Sequence, residues 1–150
     1  MRILGFAAGV CAALLTASPS IAMTDTDCAA EWKKIDSKGT GYISEADGRR
    51  YFAAMRVANK PVVDGKLTQA AFVEQCKADL FTIAKTDPNA PLAGANSFTE
   101  AQAIDRAIAA GFSPAAGLKK DDKGVWRGSA SDGTKTVPIA VDYKGNVVAK

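Results

Sequence analysis

Few side chains in this sequence are suited to covalent or acid–base chemistry. The 150 residues include no histidine, which excludes Ser-His-Asp and Cys-His nucleophiles, His-ligated zinc or haem, and imidazole pH switches. The adjacent acids Asp121 and Asp122 could exchange protons, but they lie in a Lys-rich turn that offers no burial to shift their pKa values. Since no Gly-rich phosphate loop or cofactor fingerprint occurs either, the sequence predicts a protein that is not an enzyme.

The charge pattern limits the classes of partner. Lys and Arg total 19 against 16 Asp and Glu, for a net charge of +3. The basic residues are scattered, without a run of five or more and with little aromatic interleaving, so the electrostatic footprint of a nucleic-acid binder is missing. A composition of 47% hydrophobic and 23% charged residues is typical of a globular protein of one or two small domains.

Residues 1–22 have the features of a secretory signal peptide. A single basic residue, Arg2, precedes an apolar stretch from Ile3 to Leu15, and Ser20-Ile21-Ala22 is a small-x-small cleavage site. The apolar stretch is shorter than the roughly 20 residues that a membrane-spanning helix needs, although an uncleaved anchor stays an open alternative. We expect a periplasmic or secreted protein, cleaved near Ala22 and without stable membrane insertion.

Two cysteines, Cys28 and Cys76, remain after the predicted signal peptide, which contains the third, Cys11. An even pair in an exported chain predicts one disulfide, and closing a loop of this length stabilises a fold by about 4 kcal/mol in the chain-entropy model. The alternative is a pair of buried reduced thiols. If the bridge forms, the mature chain has no free thiol for nucleophilic chemistry.

A linker is predicted at residues 85–96, which contain two prolines, a glycine and two asparagines without apolar periodicity. Residues 23–84 have helical periodicity, and the order helix, loop, helix occurs twice. Residues 97–150 begin with a helix capped by Ser97 or Thr99 and ending at Gly111. Alternating apolar runs and glycine turns then predict strands. The predicted fold class is α+β: a helical N-terminal pair, then one helix packed on an antiparallel sheet of three or four strands.

The loop from Asp36 to Asp47 resembles an EF-hand calcium loop. It has the family's length, with an acid at positions 1 and 12, Gly41 at position 6 and Ile43 at position 8. A second loop resembles it through Asp64-Gly65-Lys66-Leu67-Thr68, so the resemblance covers about residues 28–80 and implies that Ile43 pairs with Leu67. The metal ligands that it implies are Asp36, Thr40, Tyr42 and Asp47.

This EF-hand-like pair also departs from the family pattern. Position 3, normally an oxygen ligand, is Lys38, and Asp47 is one methylene shorter than the usual Glu. In the second loop only Asp64 could ligate. Weak Ca²⁺ binding is therefore one reading of the first loop. The other is that the paired loops serve as a scaffold for short helices around Trp32, Phe52 and Phe72.

The second half, about residues 97–150, resembles a PepSY-type module. The resemblance rests on the helix that opens at Phe98, a Trp126-Arg127-Gly128 strand and an Asp142-Tyr143-x-Gly-Asn hairpin, in that order. Modules of this type occur in exported bacterial proteins and in protease propeptides. The resemblance implies a non-catalytic binding or inhibitory role, often with a peptidase as the target. The candidate partner surface comprises Trp126, Arg127 and Tyr143.

Two functions follow as hypotheses. The first is an exported, non-enzymatic module that binds or inhibits a protein or peptide, with a peptidase as the candidate partner, by adding an extended segment to an exposed edge of the C-terminal sheet. The second is a calcium-binding or calcium-responsive protein with one degenerate loop. Trp126 and Arg127 are adjacent in a strand and should point to opposite faces; packing of Trp126 under the helix is the structural alternative to a role in binding.

Overall fold

The computed structural model describes residues 23–149 of the chain. The predicted signal peptide and Cys11 lie outside the described residues. Within them no helix combines the length and the apolar character needed to cross a membrane. Helices dominate the first half and an antiparallel sheet forms the second, which confirms the predicted α+β fold. The elements are, in order, α1 (Asp25–Ile35), β1 (Tyr42–Ile43), α2 (Glu45–Val57), β2 (Leu67–Thr68), α3 (Gln69–Lys77), α4 (Glu100–Ala109), β3 (Ser113–Lys120), β4 (Trp126–Ser131), β5 (Thr136–Val141) and β6 (Val147–Ala149).

The core of the first half is aromatic. The predicted core residues Trp32, Phe52 and Phe72 are all buried. Phe72 lies against the rings of Trp32, Tyr51 and Phe81, with ring centroids 5.3, 5.1 and 4.9 Å away. Such ring pairs add to the free energy of area burial, so three helices of modest length are held around one aromatic cluster.

The predicted disulfide joins α1 to α3. The Sγ atoms of Cys28 and Cys76 are 2.07 Å apart, and both residues are buried. The two cysteines are 48 residues apart in sequence, so the bridge ties the first described helix to the last helix of its half.

The two predicted loops pair through a short backbone ladder. Ile43 of β1 is opposite Leu67 of β2, and Tyr42 is opposite Thr68, which confirms the expected register. Helix α2 runs between the two loops, so it follows the first loop and leads into the second. It is broken at Gly48 (φ −144°, ψ 50°), where a Cβ atom would come within 2.8 Å of the Ile43 side chain.

The second half packs one helix on a four-stranded sheet. Of the two predicted caps the structure uses Thr99, whose hydroxyl accepts from the N–H of Gln102 in a capping box. Gly111, with φ +95°, follows the helix in the expected left-handed conformation. The sheet has the order β3-β4-β5-β6, all antiparallel neighbours. Its core with α4 consists of small and aliphatic side chains: Ala103, Ala107, Ala115, Leu118, Ala130, Val137, Ile139 and Val141.

The predicted linker, residues 85–96, forms neither helix nor strand, yet it lies against the sheet. The N–H of Leu92 donates to Asp142 Oδ2 at 3.0 Å, and the N–H of Gly94 donates to the carbonyl of Lys123 at 3.0 Å. Further bonds join Thr86, Asp87 and Asn96 to the same half, and we refer to residues 85–96 as the strap.

The two halves dock through α2 and α4. The Arg56 guanidinium forms a bidentate pair with the Asp105 carboxylate, with N–O distances of 2.7 and 3.0 Å. Arg50 donates to the carbonyls of Phe81 and Ala109 and so connects α2 to the end of α4. These contacts fix the position of the C-terminal half relative to the helical pair.

Candidate functional site

Both carboxylate oxygens of Asp36, the first residue of the EF-hand-like loop, accept hydrogen bonds from that loop. Oδ1 accepts from the Thr40 N–H at 2.9 Å, and Oδ2 accepts from the Gly41 N–H at 2.8 Å. Burial by itself would raise the pKa of Asp36, but these hydrogen bonds outweigh it and hold the pKa below its ordinary value. The carboxylate is therefore ionised and serves as the internal brace of the turn.

Asp47, at the other end of the loop, caps α2. Its Oδ2 accepts from the Ser44 N–H at 3.0 Å and from the Ser44 hydroxyl, which lowers its pKa. Its Oδ1 lies 3.4 Å from the ammonium of Lys38. A cation already neutralises this carboxylate, and it comes from the position where an EF-hand normally supplies an oxygen.

The two remaining predicted ligands are joined to each other. The Thr40 hydroxyl lies 2.7 Å from the carbonyl oxygen of Tyr42 and 3.1 Å from Asp36 Oδ1. The Tyr42 ring is largely exposed, with the Lys66 ammonium 4.3 Å from its centre. The structure thus brings all four predicted ligands into one loop that closes through its own hydrogen bonds. Among residues 23–149, no group of three or more His, Cys, Asp or Glu side chains is placed to hold a metal ion.

The predicted partner surface is divided between the two faces of the sheet. Trp126 is half-buried and packs on the core beneath α4. Arg127 points to the opposite face, where its Nε donates to Asp121 at 2.7 Å. Tyr143 lies in the turn after β5, 37% exposed, with its ring over Gly94, where a Cβ atom would come within 2.7 Å. One flat partner therefore cannot contact both Trp126 and Arg127.

Two buried side-chain donors, one on Trp126 and one on Asn96, lack a hydrogen-bond partner among the described residues. They are the indole Nε1 of Trp126 and the amide Nδ2 of Asn96, both buried. Asn96 Oδ1 accepts from the Phe98 N–H at 3.0 Å, which sets the orientation of the amide. The Lys120 ammonium donates to the Asn96 carbonyl at 3.1 Å and lies 5.4 Å from the centre of the Trp126 ring. The sequence did not indicate this cluster, since its members come from the strap and from two strands.

Asp142 is the most buried charged group of the second half, with 0% exposure. Its carboxylate accepts four hydrogen bonds, from the N–H groups of Leu92, Lys144 and Asn146 and from the Asn146 amide, at 2.9–3.0 Å. Burial would raise the pKa of Asp142, but the hydrogen bonds together lower it. The hairpin that contains Asp142 was predicted from the sequence; its bond to the strap was not.

A groove opens where the two halves meet. Its walls are parts of α2, of α4 and the residues just after it, of the β5–β6 turn with β6, and of residues 80–86, which run into the strap. The cavity measures about 560 Å³, within the roughly 300–1,000 Å³ typical of small-ligand sites. The groove was not predicted from the sequence; on its wall Ile83, a large apolar residue just before the strap, is 53% exposed. The apolar lining includes Val57, Leu80, Ile83, Ala110, Phe112 and Val148.

The charges in the groove are all positive. Arg106 and Lys85 line it, and no Asp or Glu among the described residues does. Arg106 lies over the Phe98 ring, 3.6 Å from its centre, and its Nη1 donates to the carbonyl of Gln102 at 3.1 Å. Burial lowers the pKa of Arg106 because desolvation disfavours the charged form. The groove thus combines an apolar wall with a partly desolvated guanidinium.

The groove is suited to binding a ligand, because it offers apolar surface and positive charge. The EF-hand-like and PepSY-type resemblances rest on the residues of this chain alone. Comparison with known proteins found no match to a family model, a curated protein or a solved structure.

Proposed function

We propose that this chain is an exported, non-enzymatic binding module whose PepSY-like half holds a peptide, or a peptide segment of a protein, in the groove beside α4 and β6. The observation that carries the proposal is the groove itself, apolar along most of its wall and open at the junction of the halves. Concave apolar sites with a few polar groups are the usual form of ligand sites. In the version that the PepSY-type resemblance implies, the partner is a peptidase and binding inhibits it.

Export is the second part of the proposal. The buried bridge between Cys28 and Cys76 is a structural disulfide, and such bridges persist in oxidising compartments. It supports the expectation that residues 1–22 direct the chain to the periplasm or the medium, with cleavage near Ala22.

The groove suits a peptide better than either edge of the sheet. On one edge, β3 contains Pro114, which has no N–H to donate, and its register with β4 shifts twice. Irregular edge strands of this kind resist strand addition. On the other edge, β6 comprises three of the described residues, and its Val147 carbonyl already accepts from the Thr86 hydroxyl at 3.1 Å. Specific binding would therefore come from side chains in the groove.

The test is peptide capture by matched variants. A pool of random hexapeptides is equilibrated with immobilised residues 23–150, and the retained peptides are identified by mass spectrometry. Ala84→Trp would fill the groove from an exposed position on its wall, whereas Ala30→Trp makes the same change at an exposed position of α1. We expect the parent and Ala30→Trp to enrich a common set of peptides and Ala84→Trp to lose it. Equal enrichment by both variants, or none by the parent, would contradict the proposal.

Calcium binding is the second candidate function, and the observation that favours it is the pairing of Ile43 with Leu67, which is the register of joined EF-hand loops. Calcium is titrated by calorimetry into the chelator-treated parent and into Asp36→Asn, which removes the charge at position 1. Saturable heat in the parent that disappears in the variant would support the function. Flat traces up to several millimolar Ca²⁺ would leave the paired loops as a scaffold.

A further inference from the structure

Arg106 is placed to receive an anion at one end of the groove. The Phe98 ring covers one side of its guanidinium at 3.6 Å. On another side lies the Gly145 backbone, so close that a Cβ atom there would come within 3.1 Å of Arg106 Nε; the guanidinium can pack against this turn because residue 145 is glycine. A guanidinium has five N–H donors, and among the described residues only the Gln102 carbonyl accepts from this one.

The carboxylate nearest to Arg106 in sequence, that of Asp105, is already in an ion pair. Asp105 is bound by Arg56 through both of its oxygens at 2.7 and 3.0 Å. Within residues 23–149 Arg106 forms no ion pair, although burial lowers its pKa. A partly desolvated cation without a counter-ion gains more from a bound anion than an exposed cation does. Lys85, also on the wall of the groove, adds a second positive charge.

The rest of the wall fits a peptide better than a simple acyl chain. Besides its apolar residues, the wall includes the polar side chains of Thr82 and Lys85, which the amide groups of a peptide backbone can meet. An acyl chain would bury these polar side-chain groups without partners, which is costly. Ile83, Phe112 and Val148 supply apolar contacts for side chains.

We propose that the groove binds the C-terminal end of a peptide, with the terminal carboxylate on Arg106 and the apolar last residues against Ile83, Phe112 and Val148. The inference rests on the proposed function, because it names the ligand class of the same groove. The terminal carboxylate pairs with Arg106, and Lys85 adds to the positive electrostatic potential of the groove.

The experiment compares two pools of acetylated hexapeptides with apolar residues at their last three positions. One pool ends in a free carboxylate and the other in a carboxamide. Both are applied to immobilised residues 23–150, to Arg106→Met, to Arg106→Lys and to Arg49→Met, which makes the matched change at an exposed position of α2 away from the groove. Decanoate is titrated into the same proteins, and melting curves establish that each variant is folded.

In the parent and Arg49→Met we expect the free acids to bind at least about tenfold more tightly than the amides, as for a charge-assisted hydrogen bond. The preference should fall to near unity in Arg106→Met and be partly retained in Arg106→Lys, which keeps the charge. Equal binding of acids and amides by the parent would overturn the inference and leave the proposed function standing. If no peptide is retained, both fail, and decanoate binding in that case would assign the groove to an acyl carboxylate.

Discussion

The two halves of this chain reach stability by different means, although each is close to the size at which a single core is marginal. The first half uses large rings around Phe72 and a disulfide between Cys28 and Cys76. The second half has no cross-link among its described residues, and alanine and valine dominate its core. A small half whose fully buried core contains no aromatic ring therefore needs another stabilising contact.

In the second half that contact is made by a buried carboxylate. Asp142 holds its own hairpin through Lys144 and Asn146, and it reaches the strap through the N–H of Leu92. A buried charge costs free energy unless its hydrogen bonds are satisfied, and here all the named donors converge on one side chain. The disulfide of the first half and Asp142 of the second therefore perform comparable roles by different chemistry.

The largest expected effect comes from removing the cross-link. The Cys28→Ser, Cys76→Ser double variant should lose about 4 kcal/mol of unfolding free energy, because the denatured chain regains the entropy of the open loop. Guanidinium denaturation measures the loss. Trp32 fluorescence reports it in a Trp126→Phe background, since the chain has two tryptophans, one in each half. A loss below about 1 kcal/mol would show that the aromatic cluster suffices without the bridge.

Substitution of Asp142 tests the second half in the same way. Asp142→Asn keeps the shape but removes the charge and presents an NH₂ group to N–H donors, so we expect a loss of about 2–3 kcal/mol. The readout is denaturation followed by Trp126 fluorescence in a Trp32→Phe background. Asp122→Asn, at an exposed position of the β3–β4 turn, is the matched control and should leave stability within about 0.5 kcal/mol of the parent.

The same variant gives a pH prediction. The folded pKa of Asp142 lies below its ordinary value of 3.8, so its contribution to stability is complete above that value and is lost as the pH falls through the folded pKa. The difference in unfolding free energy between the parent and Asp142→Asn should therefore be constant near neutral pH and shrink below about pH 4. A difference that does not change with acidification would contradict the assigned role.

A smaller effect is expected at the junction of the halves. The Arg56–Asp105 pair is partly exposed, so a double-mutant cycle with Arg56→Met and Asp105→Asn should give a coupling of about 0.5–1 kcal/mol. In the parent the Trp32 and Trp126 signals should change at the same denaturant concentration. In Arg56→Met the two transitions should separate slightly. Coincident transitions in every variant would show that other contacts, such as those of Arg50, suffice to couple the halves.

The smallest effect on the metal-free fold is expected at Lys38. Lys38→Asp replaces the exposed ammonium near Asp47 by an oxygen ligand at position 3 of the loop. Without calcium the melting temperature should stay close to that of the parent. With millimolar Ca²⁺ it should rise more than that of the parent, because oxygen ligands are what calcium requires. Lys38→Ala separates removal of the ammonium from addition of the carboxylate. No calcium-dependent rise in Lys38→Asp would show that the loop cannot open to admit a cation.

Much of the local structure was predictable because its signals are local. The Thr99 capping box and the left-handed Gly111 mark the two ends of α4, and each depends on residues within one turn of helix. Glycine turns and alternation located β4, β5 and β6. Strand β3 carries little signal, because Pro114 and Gly117 interrupt any alternation; its pairing with β4, which shifts register twice, decides its conformation.

The candidate site was predictable only in part, for the same reason. The EF-hand-like loop is a continuous segment, so the resemblance could assign candidate ligand positions to it from neighbouring residues. The groove is assembled from four separate segments, and none of them is unusual by itself. Arg106 was not distinguished in the sequence from the other arginines, since what sets it apart is that Arg56 pairs with Asp105 and that Arg106 packs on Phe98 at the wall of the groove.

The helical and alternating periods, the helix ends and, through the two cysteines after residue 22, the disulfide follow from the sequence. The register of Ile43 with Leu67 was expected from the EF-hand resemblance, and β1 and β2 have it. Tertiary packing alone produces the bond from the strap to Asp142, the pairing of Arg56 with Asp105 and the groove between the halves. These contacts join residues about 50 positions apart. They form only when whole helices and strands pack together, and the local sequence pattern does not encode that packing.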